Sequence, residues 1–191
     1  AFASPEHADK MARFFIQELF RNGTTTCMAY ATVHPASVTA LFSVASKYNM
    51  CMLTGKVLMD RNAPAGLTDT AGQGESESRS LIETWHGKGR NRYVITPRFA
   101  ISCSMEQLLA AGRLHGQYPD TYIQTHLSEN KDEIDSTLSL CPDCQDYLEV
   151  YERAGLVTDR SVFGHCIHLS DSECRRLAEA GSVIAHCPTS N

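Results

Sequence analysis

Apolar, β-branched-rich runs alternate with stretches of helical period along this chain, and that alternation leaves few folds open. The apolar runs fall at residues 24–32, 50–60, 93–101, 121–129, 161–170 and 182–191. Between them lie amphipathic stretches at 7–21, 36–48, 77–86, 105–118, 145–154 and 172–180. Strands that are apolar on both faces and separated by helices predict a parallel sheet wrapped by helices. Right-handed crossovers then allow a doubly wound sheet or a barrel. The last helix has the sharpest boundaries: Ser170 with Glu173 spells a capping box, and Gly181 marks the stop.

An open doubly wound sheet would use all of these strands, but it normally carries a Gly-rich phosphate turn, and none is present. A complete (β/α)₈ barrel needs eight strands and about 250 residues, so in this 191-residue chain a barrel would be partial. Two longer connections are expected to be loops. Residues 62–74 (NAPAGLTDTAGQG) are expected to be mobile over one end of the sheet, and 136–143 (STLSLCPD) form the second. Neither has the composition of a domain linker.

Hydrophobic residues make up 42% of the chain, enough for one sizeable core. No apolar run approaches the roughly 18 residues of a membrane span, and no secretory signal is read, so a cytoplasmic location is expected. With 17 Lys and Arg against 22 Asp and Glu, no basic stripe offers itself to nucleic acid. The eight cysteines mostly interrupt strand-like runs (TTTCMAYAT, NMCMLTGKV, FGHCIHLS) and are expected to be reduced, buried small hydrophobes.

Polar residues collect where these strands end, the edge on which α/β enzymes keep their sites. The fourth run ends on His126 and Glu129, the fifth on His165 and His168, and the sixth on His186, Ser190 and Asn191. Neutral imidazoles are frequent zinc ligands, and a glutamate one turn past a ligand can reach a metal's water as general base. His126 and His165 are therefore candidate metal ligands and Glu129 a candidate base. His168 is expected at the surface, and His7, His34, His86 and His115 to be solvated. His186 lies next to the ligands or faces the substrate. A competing zinc signature, H-x-E with P-C-x-x-C, fails in detail, since Glu129 is one residue too far and Leu140 precedes Cys141. A structural zinc on Cys141, Cys144, His165 and His168 needs an H-x₂-H pair tighter than usual; a reduced surface CxxC is the simpler expectation.

Six motifs, NGTTT (22–26), GKVLMD (55–60), TPRFAISCS (96–104), QTHLSEN (124–130), FGHCIHLS (163–170) and IAHCPTSN (184–191), together resemble the guanine deaminases. These are zinc aminohydrolases of the amidohydrolase superfamily that convert guanine to xanthine and ammonia. The histidine motifs point to the deaminase and chlorohydrolase branch, and TPRFAISCS to guanine. The resemblance implies that His126 and His165 bind one Zn²⁺, that Glu129 shuttles protons, and that Arg98 and Phe99 recognise the purine. It places His186 and Asn191 around the metal ligands and allows a homodimer, with neither nucleic acid nor membrane as partner.

It also implies a partial TIM-type barrel: residues 1–191 match strands two to seven, the central segment of a metal-dependent hydrolase domain. The first strand with its HxH ligands, the last strand with its aspartate, and the flanking β-sandwich have no counterpart here. The segment alone is accordingly expected to be inactive. The alternatives are a related aminohydrolase acting on another purine, a pteridine or a triazine, and a non-catalytic partial barrel that binds or scaffolds.

Overall fold

The structure, a computed structural model, describes residues 1–190. Helix α1 (Pro5–Arg21) begins where Ser4 accepts the His7 N–H, and it buries the i, i+4 stripe Ala8, Ala12 and Ile16. Then follow β1 (Thr26–Tyr30), α2 (Pro35–Lys47), β2 (Cys51–Gly55), β3 (Val57–Leu58) and a 3₁₀ turn (Ala65–Leu67). After α3 (Ala71–Trp85) come β4 (Asn91–Pro97), α4 (Met105–Gln117), β5 (Tyr122–Leu127), α5 (Lys131–Leu140) and α6 (Tyr147–Arg153). The described elements end with β6 (Ser161–His165), α7 (Asp171–Glu179) and β7 (Val183–Ala185).

Every strand pairing is parallel, in the order β1-β2-β4-β5-β6-β7, with β3 also against β4. Strand β3 continues β2, because both keep one register on β4: Met52 faces Asn91 and Val57 faces Thr96. The sheet therefore grows in one direction. A doubly wound sheet reverses midway at a switch point, so this is an arc of a (β/α) barrel. One contiguous core lies between strands and helices, built on residues such as Phe42, Tyr93, Ile95, Leu108, Ile123, Leu127 and Phe163. Gly112 brings α4 against α6, since a Cβ there would lie 1.8 Å from the Ala154 carbonyl oxygen.

Several expectations need correction. Residues 131–140 form helix α5, so most of the expected loop 136–143 is helical. Asn130 caps the helix by accepting the Glu133 N–H (2.9 Å), which overcomes the weak propensity of its Ser, Thr and Asp content. Loop 62–74 is pinned rather than free-standing. The Asp69 N–H donates to the Met59 carbonyl (2.8 Å), and Ala71 to Gly74 already belong to α3. Of the eight cysteines, all free, only Cys103 is buried; Cys174, on α7, is exposed and the rest are half-buried, among them Cys141 and Cys144 in the connection between α5 and α6. His86 is not a solvated histidine: its Nδ1 accepts the Tyr93 N–H (3.0 Å) and its Nε2 meets Asp120 (3.1 Å). His115 is half-buried, and that burial pushes its pKa down. The capping box on α7 forms as the sequence predicts.

Candidate functional site

The C-terminal ends of β4, β5 and β6 open onto a cleft of about 300 Å³ lined by Arg98, Phe99, His126, Glu129, His165 and Ser190. A neighbouring hollow of about 390 Å³, lined partly by Tyr30, Val57, Met59 and Leu67, shares Arg98 and His126 with it. The five residues named from the sequence as metal-binding, catalytic or base-reading thus share one cleft. His186 is exposed just past β7 and does not line this cleft, and His168 is exposed too. Asn191 lies outside the described residues.

Each side chain reaches the cleft for a local reason. The register of β4 and β5 continues past their ends, so that Arg98 sits beside His126 and its carbonyl accepts the His126 N–H (3.2 Å). The same carbonyl lies 2.6 Å from His126 Nδ1. A carbonyl can only accept, so Nδ1 carries the proton and Nε2 keeps its lone pair for a ligand. Burial pushes the His126 pKa down, partly countered by that hydrogen bond, so the imidazole stays neutral.

His165 arrives by a backbone kink. In the ladder it faces Leu127, a core residue, and regular alternation would send both to the helix side. Its φ of 70°, followed by 57° at Cys166, breaks that alternation. The ring instead stacks on His126 with centroids 5.5 Å apart. Non-glycine residues hold left-handed backbone only where surrounding structure imposes it, and such residues concentrate at functional sites. Here the Cys166 N–H is held by the Leu127 carbonyl (2.8 Å), and those of Ile167 and His168 by the Ser128 carbonyl.

Glu129 sits in the turn after β5, where Ser128 has φ 51°. Its N–H donates to the buried carboxylate of Glu133 (3.0 Å), which fixes the turn from the first turn of α5. Its own Oε1 lies 3.6 Å from His165 Nδ1, beyond hydrogen-bond length, and remains partly exposed. Arg98 is exposed, with its guanidinium 4.8 Å above the Phe99 ring and 3.8 Å from the Met59 sulfur. A fork of N–H donors beside an aromatic face suits a planar, carbonyl-bearing ligand. Glu133 went unnoticed in the sequence, although the spacing Asn130 to Glu133 is itself a helix-start signal.

Do these residues fit a metal? A protonated Nδ1 on a backbone carbonyl, with Nε2 free, is the usual posture of a ligating histidine. The stacked second imidazole and the carboxylate beside it are compatible donors. Catalytic zinc usually takes about three protein ligands, however, and among the described residues no group of three or more His, Cys, Asp or Glu side chains could hold an ion. The two imidazoles of the cleft could therefore be only part of a coordination set. For the same reason the alternative zinc on Cys141, Cys144, His165 and His168 is not assembled.

An arc of a parallel barrel, with imidazoles, a carboxylate and a guanidinium gathered at its C-terminal strand ends, is the scaffold of a barrel hydrolase. The Amidohydrolase family model matches residues 2–191, and the chain belongs to that family. It is 55% identical over 186 residues to the guanine deaminase of Escherichia coli (strain K12), across 97% of this chain and 42% of that protein. The solved structure of E. coli guanine deaminase superposes with a TM-score of 0.97 at 53% identity, covering 98% of this chain and 44% of that one. Guanine deaminase from C. acetobutylicum, solved with guanine bound in its active site, gives a TM-score of 0.94 at 35% identity, covering 98% and 45%. The chain spans less than half the length of these relatives. Among the described residues no helix is long and apolar enough to cross a membrane.

Proposed function

We propose that residues 1–191 are the central segment of a metal-dependent hydrolase barrel that deaminates guanine to xanthine and ammonia. The observation that carries this reading is the convergence of Arg98 and Phe99 with His126, Glu129 and His165 in one cleft. The relatives named guanine deaminase, at 55% and 39% identity, support the choice of base.

In this mechanism Arg98 donates to the carbonyl edge of the base, and Phe99 offers its ring face, so the carbon bearing the exocyclic amine is held toward His126 and His165. Those two imidazoles would bind a divalent ion, with zinc the best match to their donor type and to hydrolysis. When bound, such an ion supplies an acidified water at neutral pH. A Glu129 carboxylate oxygen would take one proton from the attacking water and pass it to the ring nitrogen, then take the second from the added hydroxyl as the carbonyl forms and pass it to the departing amine. One water is consumed and one ammonia leaves. We place the enzyme in the cytoplasm; the free state of all eight cysteines supports a reducing compartment.

Ammonia release by the full chain, followed with guanine, adenine, cytosine and melamine, tests the proposal. Turnover of guanine well above the other three is expected. Activity on one of those bases without activity on guanine would overturn the roles given to Arg98 and Phe99.

A further inference from the structure

The base-reading pair and the metal-side residues come from different strands, β4 and β5, yet the reaction needs a fixed spacing between them. Displacements of about 1 Å already cost rate in such sites. The two strand ends are joined from the reverse side of the sheet by one side chain of α6, Tyr151. It is fully buried. Its hydroxyl accepts the Ala100 N–H (3.0 Å) and donates to the His126 carbonyl (2.8 Å). It also lies 3.2 Å from the Thr125 hydroxyl, which can donate to it or to the Arg98 carbonyl 3.3 Å away.

A phenol has one proton and two lone pairs, so these three partners can use all of them; the Tyr147 hydroxyl, at 3.5 Å, is its longest contact. Burial pushes its pKa well above the ordinary range, and the hydroxyl remains a donor at any working pH. Without it, the buried Ala100 N–H would lose its partner, and the segment Arg98–Phe99–Ala100 would lose its tie to β5 on this side. Helix α6 delivers Tyr151 to this place through the close approach at Gly112.

We infer that Tyr151 is a positioning residue: its hydroxyl sets the distance between the base-binding pair Arg98–Phe99 and the ligand strand of His126. The inference rests on the proposed role of Arg98 and Phe99. Tyr147 provides an internal control. It is equally buried on the same helix, stacks on Tyr151 at 5.5 Å and has its hydroxyl 3.5 Å from that of Tyr151, but makes no hydrogen bond to either strand end.

The test uses the full chain with its metal and the variants Tyr151→Phe and Tyr147→Phe. Binding of xanthine, the product, is measured by calorimetry, together with KM, kcat, metal content and Tm. Losing a buried hydrogen bond predicts about tenfold weaker xanthine binding for Tyr151→Phe, a matching rise in KM, and unchanged metal per chain. Tyr147→Phe should bind xanthine within about twofold of wild type, whatever its Tm.

Xanthine binding by Tyr151→Phe within that same margin, or equal losses in both variants, would overturn the inference. Should Tyr151→Phe fail to fold, Thr125→Val removes the bridging hydroxyl while keeping the shape. A loss of about threefold is then expected, and no loss counts against the inference. A wild-type chain that turns over another base and does not bind xanthine would instead overturn the roles of Arg98 and Phe99, and this inference with them.

Discussion

Two clusters of charge hang from the same sheet and differ in how completely they are spent. Where β2 gives way to β3, Lys56 is buried with its side chain 1% exposed, paired with Asp69 at 4% and within 3.4 Å of Glu77. The other oxygen of Asp69 accepts the Gln107 amide (2.7 Å), so the pair closes on α3 and α4 with no capacity left for a ligand. At the ends of β4 and β5 the corresponding groups are left more open. Arg98 touches a sulfur and an aromatic face, the His126 ring hydrogen-bonds through Nδ1 alone among the described residues, and Glu129 lies outside hydrogen-bond range of His165. Saturated charge holds the arc together. Unsaturated charge in a cleft is what can bind and react.

The contrast predicts opposite kinds of damage. Glu129→Gln keeps the shape of the open cluster and removes its proton acceptor. In the full chain kcat for guanine should fall by about three orders of magnitude, with metal content and Tm nearly unchanged. A variant retaining more than a tenth of wild-type kcat would remove Glu129 from the mechanism. Lys56→Met should act on stability instead, leaving Asp69 buried without its cation at a cost of about 3–5 kcal/mol in denaturant unfolding. A second change, Asp69→Leu, should restore most of that loss, because a buried pair is often replaceable by apolar side chains. If the double variant is no more stable than Lys56→Met, the cluster does more than balance its own charge.

Much of this architecture can be read before any coordinates are known, for identifiable reasons. Strand–helix alternation is a property of side-chain periodicity, and His126, Glu129 and Arg98 mark themselves by being polar at the ends of apolar runs. The order of the sheet is not local. Only the pairings separate the one-directional arc from a doubly wound sheet. Helix α5 was obscured because KDEIDSTLSL has weak propensity and its start depends on one cap, Asn130. The approach of His165 to His126 was hidden for a different reason. Strand parity alone sends it to the wrong face, and only a left-handed backbone, φ 70°, brings it back. The role suggested here for Tyr151 depends on contacts 25 and 51 residues away along the chain, which no pattern reveals.

Within the open cluster, a milder change should separate binding from chemistry. Arg98→Lys keeps the charge but loses the planar fork. KM for guanine should rise about tenfold while kcat changes much less, since the lost contact is made in ground state and transition state alike. A fall in kcat with KM unchanged would mean that Arg98 acts mainly in the transition state.

The smallest effect is on acid stability, and it again distinguishes the two clusters. Burial holds the His126 pKa below the ordinary value of about 6.5. As pH falls through that value the unfolded chain takes up a proton that the folded chain refuses until lower pH. The unfolded state then binds more protons, so stability is undiminished above about pH 6.5, declines below it, and levels off under the folded pKa. His126→Asn removes the titrating ring and presents an amide nitrogen near the Nδ1 position, so the Arg98 carbonyl keeps a donor. In metal-free chain, unfolding at pH 7.5 and 5.5 should show a smaller loss on acidification for His126→Asn than for wild type. The double variant Lys56→Met with Asp69→Leu should leave that loss as it is in wild type, because it keeps neither a histidine nor an unpaired buried carboxylate in that cluster. An equal acid loss in wild type and His126→Asn would mean that the open cluster does not hold its imidazole neutral, and that the proton rather than a metal has first claim on Nε2.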